Sequence, residues 1–184
     1  MMTDAALAFV PIGYNLSLVS TAGNSIPSPM TIDILGQGAG TAPANIIGNA
    51  LNGVFGADTG VGGLKAPQIN IVIGTAPTTS NSCTLDVAFQ GAEDTGATGG
   101  YLPGTWQTFN ETGPMTVANL TAGTVVRLDW PPAFPAGFNP RFLRLLFQVP
   151  TAENFTAGTI SSALPVMVRD DQSNKFAAKN FVVA

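Results

Sequence analysis

Thr84-Leu85-Asp86-Val87-Ala88-Phe89-Gln90 decides the class of this chain. Leu85, Val87 and Phe89 alternate with Thr84, Asp86 and Ala88. A period of two sends successive side chains to opposite faces of a strand, so one set faces a core and the other faces away. The same period recurs along the chain. Tyr14, Leu16 and Leu18 alternate with Asn15 and Ser17, and Met30, Ile32 and Ile34 with Thr31 and Asp33. Ile69, Ile71 and Ile73 alternate with Gln68 and Asn70, and Val126, Leu128 and Trp130 with Thr124, Arg127 and Asp129. Leu143, Leu145, Phe147 and Val149 share one face of a later run. Ile160, Leu164, Val166 and Val168 share one face of the last. Weaker runs cover Met115 to Leu120 and Thr105 to Phe109. The total is about eight or nine strands, and no long segment has helical periodicity.

The 21 Gly and 14 Pro punctuate these runs at short intervals. Short strands between frequent turns predict an all-β, jelly-roll-like antiparallel β-sandwich of about eight strands. The length of 184 residues fits a single domain, 1–184. Each alternating set then faces the opposite sheet. Val87→Asp or Leu145→Asp is expected to abolish folding, because either change strands a carboxylate in that core.

Gly36 to Pro67 breaks the rhythm. It holds nine Gly and two Pro, and its apolar residues lack a regular period. A stretch of that length without structure is uncommon inside a compact domain. It reads either as a simple flexible loop or as an arm ordered by a neighbour. Ile46, Ile47, Leu51, Val54 and Phe55 favour the arm, since a solvated loop does not need them. Residues 170–184 read as a C-terminal tail.

Composition excludes several functions. The chain has no His, so a Ser-His-Asp triad and imidazole metal ligands are absent. The single Cys, Cys83, makes neither an internal disulfide nor a Cys-rich zinc site, and it reads as a buried small hydrophobe. With 7 Lys and Arg against 11 Asp and Glu, the net charge of −4 argues against binding duplex nucleic acid. Mean hydropathy is positive, yet Gly, Thr, Asn and Pro interrupt every apolar run before a membrane-spanning length. Asp4 and the lack of a positive leader do not read as a secretory signal.

Charged residues make up 10% of the chain, against roughly 25% in an average soluble protein. A folded monomer of 18.8 kDa exposes about 8,300 Å², or one charge per roughly 460 Å². So sparse a surface is expected to be covered by copies of itself or by a partner. The charges are also unevenly placed. Residues 1–126 carry one Lys and seven acids, and residues 127–184 carry six basic residues and four acids. This reads either as a chance skew or as a contact edge marked by Arg127, Arg141, Arg144 and Arg169.

Asp-Thr-Gly occurs twice, at 58–60 and 94–96. Aspartic proteases bring two such turns together so that their carboxylates share a proton. Here Gly56-Ala57 and Ala92-Glu93 lead in, in place of a buried apolar strand, so two ordinary turns are expected. Glu93 with Asp94, or Asp170 with Asp171, supplies too few oxygens for calcium. Trp130 ends an alternating strand and reads as core. Tyr101 and Trp106 flank Pro103-Gly104 in a loop and read as sugar-stacking rings, partner anchors or core edges.

Two stretches carry a family likeness. One runs from Leu120-Thr121-Ala122-Gly123-Thr124-Val125-Val126-Arg127-Leu128-Asp129-Trp130-Pro131-Pro132 to Pro140-Arg141-Phe142-Leu143-Arg144-Leu145. The other is Phe155-Thr156-Ala157-Gly158-Thr159-Ile160, followed by Val168-Arg169-Asp170-Asp171-Gln172. With Thr84 to Gln90 they resemble the head cement or decoration proteins of tailed bacteriophages, the family typified by a short-tailed Bordetella phage. The likeness spans residues 28 to 184 and rests on strand ends and turns. It implies a jelly-roll subunit on the capsid exterior that clamps neighbouring major capsid proteins and associates with itself, as a dimer. It implies no enzyme and no cofactor. The chain departs from the family in its longer Gly36 to Pro67 insertion.

The expected function is therefore that of a structural virion protein, assembled in the host bacterial cytoplasm. Its candidate contacts, chosen by chemistry and position, are Ile46, Ile47, Phe55, Trp106, Phe138, Arg141 and Arg144. The alternative is a carbohydrate-binding or receptor-binding β-sandwich of a head fibre or tail.

Overall fold

A computed structural model describes residues 2–3, 7–19, 23, 25–34, 43–47, 68–79, 82–96, 101–131, 134–149 and 154–167. Its strands are β1 (Met2–Thr3), β2 (Leu16–Ser17), β3 (Ile26–Pro27), β4 (Thr31–Asp33), β5 (Ile46–Ile47) and β6 (Gln68–Thr79). They continue with β7 (Thr84–Ala92), β8 (Gln107–Glu111), β9 (Met115–Thr116), β10 (Val125–Asp129), β11 (Phe142–Gln148) and β12 (Phe155–Met167). A short 3-10 turn, Val117–Asn119, follows β9.

The strands form two sheets. In the first, β12 lies beside β6 and β6 beside β10, while β1 and β2 both pair with the far side of β12. The second runs β5-β4-β11-β7-β8, with β3 also on β11 and β9 on β7. The pairings are antiparallel except β4 with β5. The fold is an all-β sandwich of two sheets.

The alternation read from Thr84 to Gln90 sets the register of the second sheet. Phe147 stands opposite Val87, Leu145 opposite Phe89, and Leu143 opposite Gly91. These residues join Ile69, Ile71 and Ile73 of β6 in one buried core. Each such side chain contributes about 1.5–3 kcal/mol on burial. Trp130 is core as expected, 4.8 Å from Phe89 between ring centroids, and Phe9 meets Phe89 edge-on at 6.0 Å. Gly91 exists for close approach, since a Cβ there meets the Phe109 ring at 2.4 Å. Cys83 is buried.

Several local expectations are corrected. Short pairings of two residues, such as β1, β3 and β5, carry no period and raise the strand number above eight or nine. Tyr14 does not join a core-facing row. Its N–H donates to the Pro11 carbonyl in a turn, its side chain is exposed, and the strand covers only Leu16–Ser17. Thr31 and Asp33, expected on the polar face of their strand, are both buried. Ile160 does not share a face with Leu164 and Val166. Ile160 stands opposite Ile73, but a bulge follows, and Leu164 stands opposite Asn70 and Val166 opposite Gln68. One inserted residue inverts the parity of everything after it. Val168 lies outside the described residues.

Part of the Gly-rich insertion is regular strand. Ile46 and Ile47 pair in parallel with Thr31 and Ile32, and the Thr31 N–H donates to the Asn45 carbonyl at 2.8 Å. Residues 36–42 and 48–67 of the insertion, with Leu51, Val54, Phe55 and Asp58-Thr59-Gly60, lie outside the described residues. So do Arg169, the Asp170-Asp171 pair and the 170–184 tail.

Candidate functional site

β7 leaves the second sheet at Ala92, and the chain returns as β8 at Gln107. The described residues of the intervening loop, 93–96 and 101–106, are held to one another by backbone hydrogen bonds. Thr95 N–H donates to the Leu102 carbonyl at 2.9 Å, and Gly104 N–H donates to the Glu93 carbonyl at 2.8 Å. Asp94 organises it, as expected of an Asp-Thr-Gly turn. Its Oδ1 accepts the N–H groups of Gly96 at 2.9 Å and Leu102 at 3.1 Å. A short carboxylate accepting backbone amides is the usual reason for Asp in such turns.

The other Asp94 oxygen reaches Arg141. Arg141 Nη1 donates to Asp94 Oδ2, while Nε and Nη2 donate to Asp33 Oδ1 and Oδ2 at 3.1 and 2.9 Å. Asp33 is fully buried and Arg141 is 6% exposed. Two parallel N–H···O bonds to one carboxylate are the strongest geometry a guanidinium offers. The hydrogen bonds to Asp33 raise the Arg141 pKa above its ordinary value, with burial opposing. Tyr101 covers the guanidinium at 4.9 Å, and the Phe142 ring lies 5.1 Å away.

A second guanidinium repeats the theme. Arg144 stacks 4.0 Å over Trp106, its Nε donates to Gln90 Oε1 at 3.0 Å, and Gln90 Nε2 donates to Thr108 Oγ1 at 3.1 Å. Burial lowers the Arg144 pKa. Glu93 accepts the Asn139 N–H at 3.1 Å, which ties the loop to the turn carrying Phe138. Phe138 is half-buried against Phe109 at 5.7 Å.

No protein-family model matches the chain, and no curated protein matches it in sequence. The geometry alone therefore assigns roles to the candidate contacts. Arg141 immediately precedes β11 and Arg144 lies on it, with Asp94 bonded to the first and Trp106 stacked on the second. Ile46 sits one strand away, beside β4, which carries Asp33. Arg141 and Ile46 are buried, so they support a surface and do not form it. Ile47, Trp106, Phe138 and Arg144 are half-buried. Phe55 lies outside the described residues.

Among the described apolar residues of this loop, Leu102 is exposed, at 59%. Its N–H is bound by Asp94, and its carbonyl accepts both Thr95 N–H and, at 3.2 Å, Thr95 Oγ. Reading the sequence missed Leu102, Asp33 and Gln90. The turn expected at Asp94-Thr95-Gly96 is present, but its link to Arg141 has no local sign in the sequence. That link makes Asp94 a structural anion, and the other Asp-Thr-Gly, at 58–60, lies outside the described residues. Among the described residues, no three His, Cys, Asp or Glu side chains gather as a metal site, and no helix is long and apolar enough to cross a membrane. Tyr101 and Trp106 each give a ring face to a guanidinium, which competes with sugar stacking there.

Proposed function

We propose that the chain is a non-enzymatic structural protein of a tailed-phage virion, bound to the outside of the capsid. It stabilises the lattice by bridging neighbouring major capsid proteins. Three features support this reading: the β-sandwich fold, the low charge, and the resemblance of its strand ends and turns to cement proteins. The observation that carries it is Leu102, an exposed apolar side chain on a backbone anchored through Asp94 and Arg141 to fully buried Asp33. The backbone at Leu102 is already held by these bonds, so a partner that binds it does not have to fix that residue. Each copy then adds a modest interface, and linking many copies across a shell multiplies the effect.

Capsids lacking the protein are expected to lose resistance to heat and to low salt. Adding back the wild-type chain restores resistance, and adding back Leu102→Asp does not. Capsids of unchanged stability, with the protein found only in the infected cytosol, overturn the proposal. Glycan-array binding that disappears in Trp106→Ala, without any capsid binding, replaces it with the sugar-binding alternative.

A further inference from the structure

Arg144 lies on β11 directly opposite Gln90 of β7. Its side chain is half-buried, and two contacts fix the guanidinium. Trp106 takes one face of its plane, with Cζ 4.0 Å from the ring centroid. Gln90 Oε1 accepts Nε–H at 3.0 Å, and the Gln90 amide is itself held by Thr108 Oγ1. A guanidinium offers two forks, one from Nε with an Nη and one from the Nη pair. Gln90 occupies the first at Nε. The second has no hydrogen-bond or ion-pair partner among the described residues. Among those residues the fully buried side-chain polar atom without a partner is Trp130 Nε1, so the Arg144 Nη atoms keep access to solvent.

The acidic groups of β4, β7 and the loop after β7 are committed elsewhere. Asp33 and Asp94 bind Arg141, Asp86 accepts Thr112 Oγ1, and Glu93 accepts the Asn139 N–H. Burial lowers the Arg144 pKa, and no carboxylate raises it. A guanidinium that loses water without gaining an anion costs stability, which the Trp106 face offsets only in part. Arg is favoured over Lys where a planar fork meets a carboxylate.

We propose that the Nη edge of Arg144 is a receptor for one carboxylate, supplied by an Asp or Glu side chain of a protein partner. The carboxylate lies in the guanidinium plane and accepts one N–H from each Nη, a bidentate geometry that adds direction to charge. Trp106 and Gln90 fix that plane in advance, so binding does not have to order the Arg side chain. A single negative charge suits the surroundings. Arg141, Asp33, Asp94 and Glu93 together carry a net negative charge, which opposes a phosphate dianion. Leu102 lies on the same loop as Trp106, so a partner that meets Leu102 presents its acidic side chain close by. That joint placement rests on the capsid reading, and the carboxylate site itself does not.

The isolated full-length chain tests it, with the Trp106 indole N–H as reporter in an NMR titration at fixed ionic strength. The probe is a short peptide with blocked ends and one Glu, compared with the same peptide carrying Gln. The Glu peptide is expected to shift the Trp106 signal saturably, with a Kd of roughly 10–100 mM from one charge-assisted fork. The Gln peptide should leave the signal unmoved. Arg144→Lys keeps the charge without the fork and should bind at least about threefold more weakly. Gln90→Glu keeps Arg144 and Trp106 but supplies an internal carboxylate, and should abolish the shift. Unchanged circular dichroism checks that both variants fold. The proposal is overturned by the lack of a saturable shift, by equal binding of the Gln peptide, or by wild-type affinity in either variant. Tighter binding of methyl phosphate than of the Glu peptide also overturns it. Capsid binding is scored separately, so failure here is distinct from failure of the capsid reading.

Discussion

At Arg141, three hydrogen bonds join two carboxylates that stand far apart in the chain. Asp33 comes from β4 and Asp94 from the loop after β7, and Arg141 itself precedes β11. Removing the cation leaves the buried Asp33 carboxyl without its bidentate partner. Arg141→Met is therefore expected to destabilise the protein by about 3–5 kcal/mol in urea unfolding. Replacing Arg141 and Asp33 together by apolar residues should recover much of that loss, because no buried charge is then stranded beside the core. The guanidinium's pKa is raised in the folded state. Its contribution is thus complete below the unfolded value and lost only as pH rises through the still higher folded value. Melting across the neutral range should show no step from Arg141, and a step appearing there contradicts the assignment. Nothing local in the sequence signals this cluster. Asp33 sits between apolar neighbours in a period of two, which predicts an outward, solvated carboxylate.

Among the elements, β12 shows how one residue redirects a strand. Ile160 faces Ile73, and after the bulge Ala163 faces Ile71 and belongs to the core, while Leu164 falls on the other face. Ser161 lies inside the bulge, with its Oγ donating to the Val72 carbonyl at 3.3 Å. Deleting Ser161 is expected to cost about 3 kcal/mol, a fall in Tm of roughly 10 °C for a chain of this size. The physical reason is that deletion forces either a register slip against β6 or an exchange of the two faces. A deletion variant with unchanged Tm shows that the bulge is incidental. The long runs of β6, β7, β10 and β11 were legible because uninterrupted alternation determines a face. β3, β5 and β9 were not, because two residues hold no period. β10 was legible as a strand, but its place at a sheet edge was not, since edge and centre share one alternation.

Across the whole molecule, one charge per roughly 460 Å² pointed to a covered surface. The described residues expose Ile12, Tyr14, Val19, Leu102 and Val125, distributed over the loop after Val10, the β2 end, the clamped loop and the β10 edge. Leu102 lies on the loop proposed to meet the shell. The proposal predicts that Leu102→Asp loses capsid binding while keeping the wild-type fold. A Leu102→Asp variant that still binds capsids removes that contact. Capsid pull-down and circular dichroism on this variant decide it.

The sequence alone determined the class of this protein. Alternation at Leu85, Val87 and Phe89, repeated between Gly and Pro turns, leaves a two-sheet β structure as the way to bury those faces, and Trp130 and Cys83 lie inside it as expected. It also pointed to Arg141, Arg144 and Trp106 as a place of interest. Only the tertiary structure decided what they do. Periodicity reports which side of its own strand a residue occupies, but a salt bridge depends on which strands meet. Packing alone turned Arg141 from a candidate surface contact into a buried clamp, and left Leu102 exposed beside it.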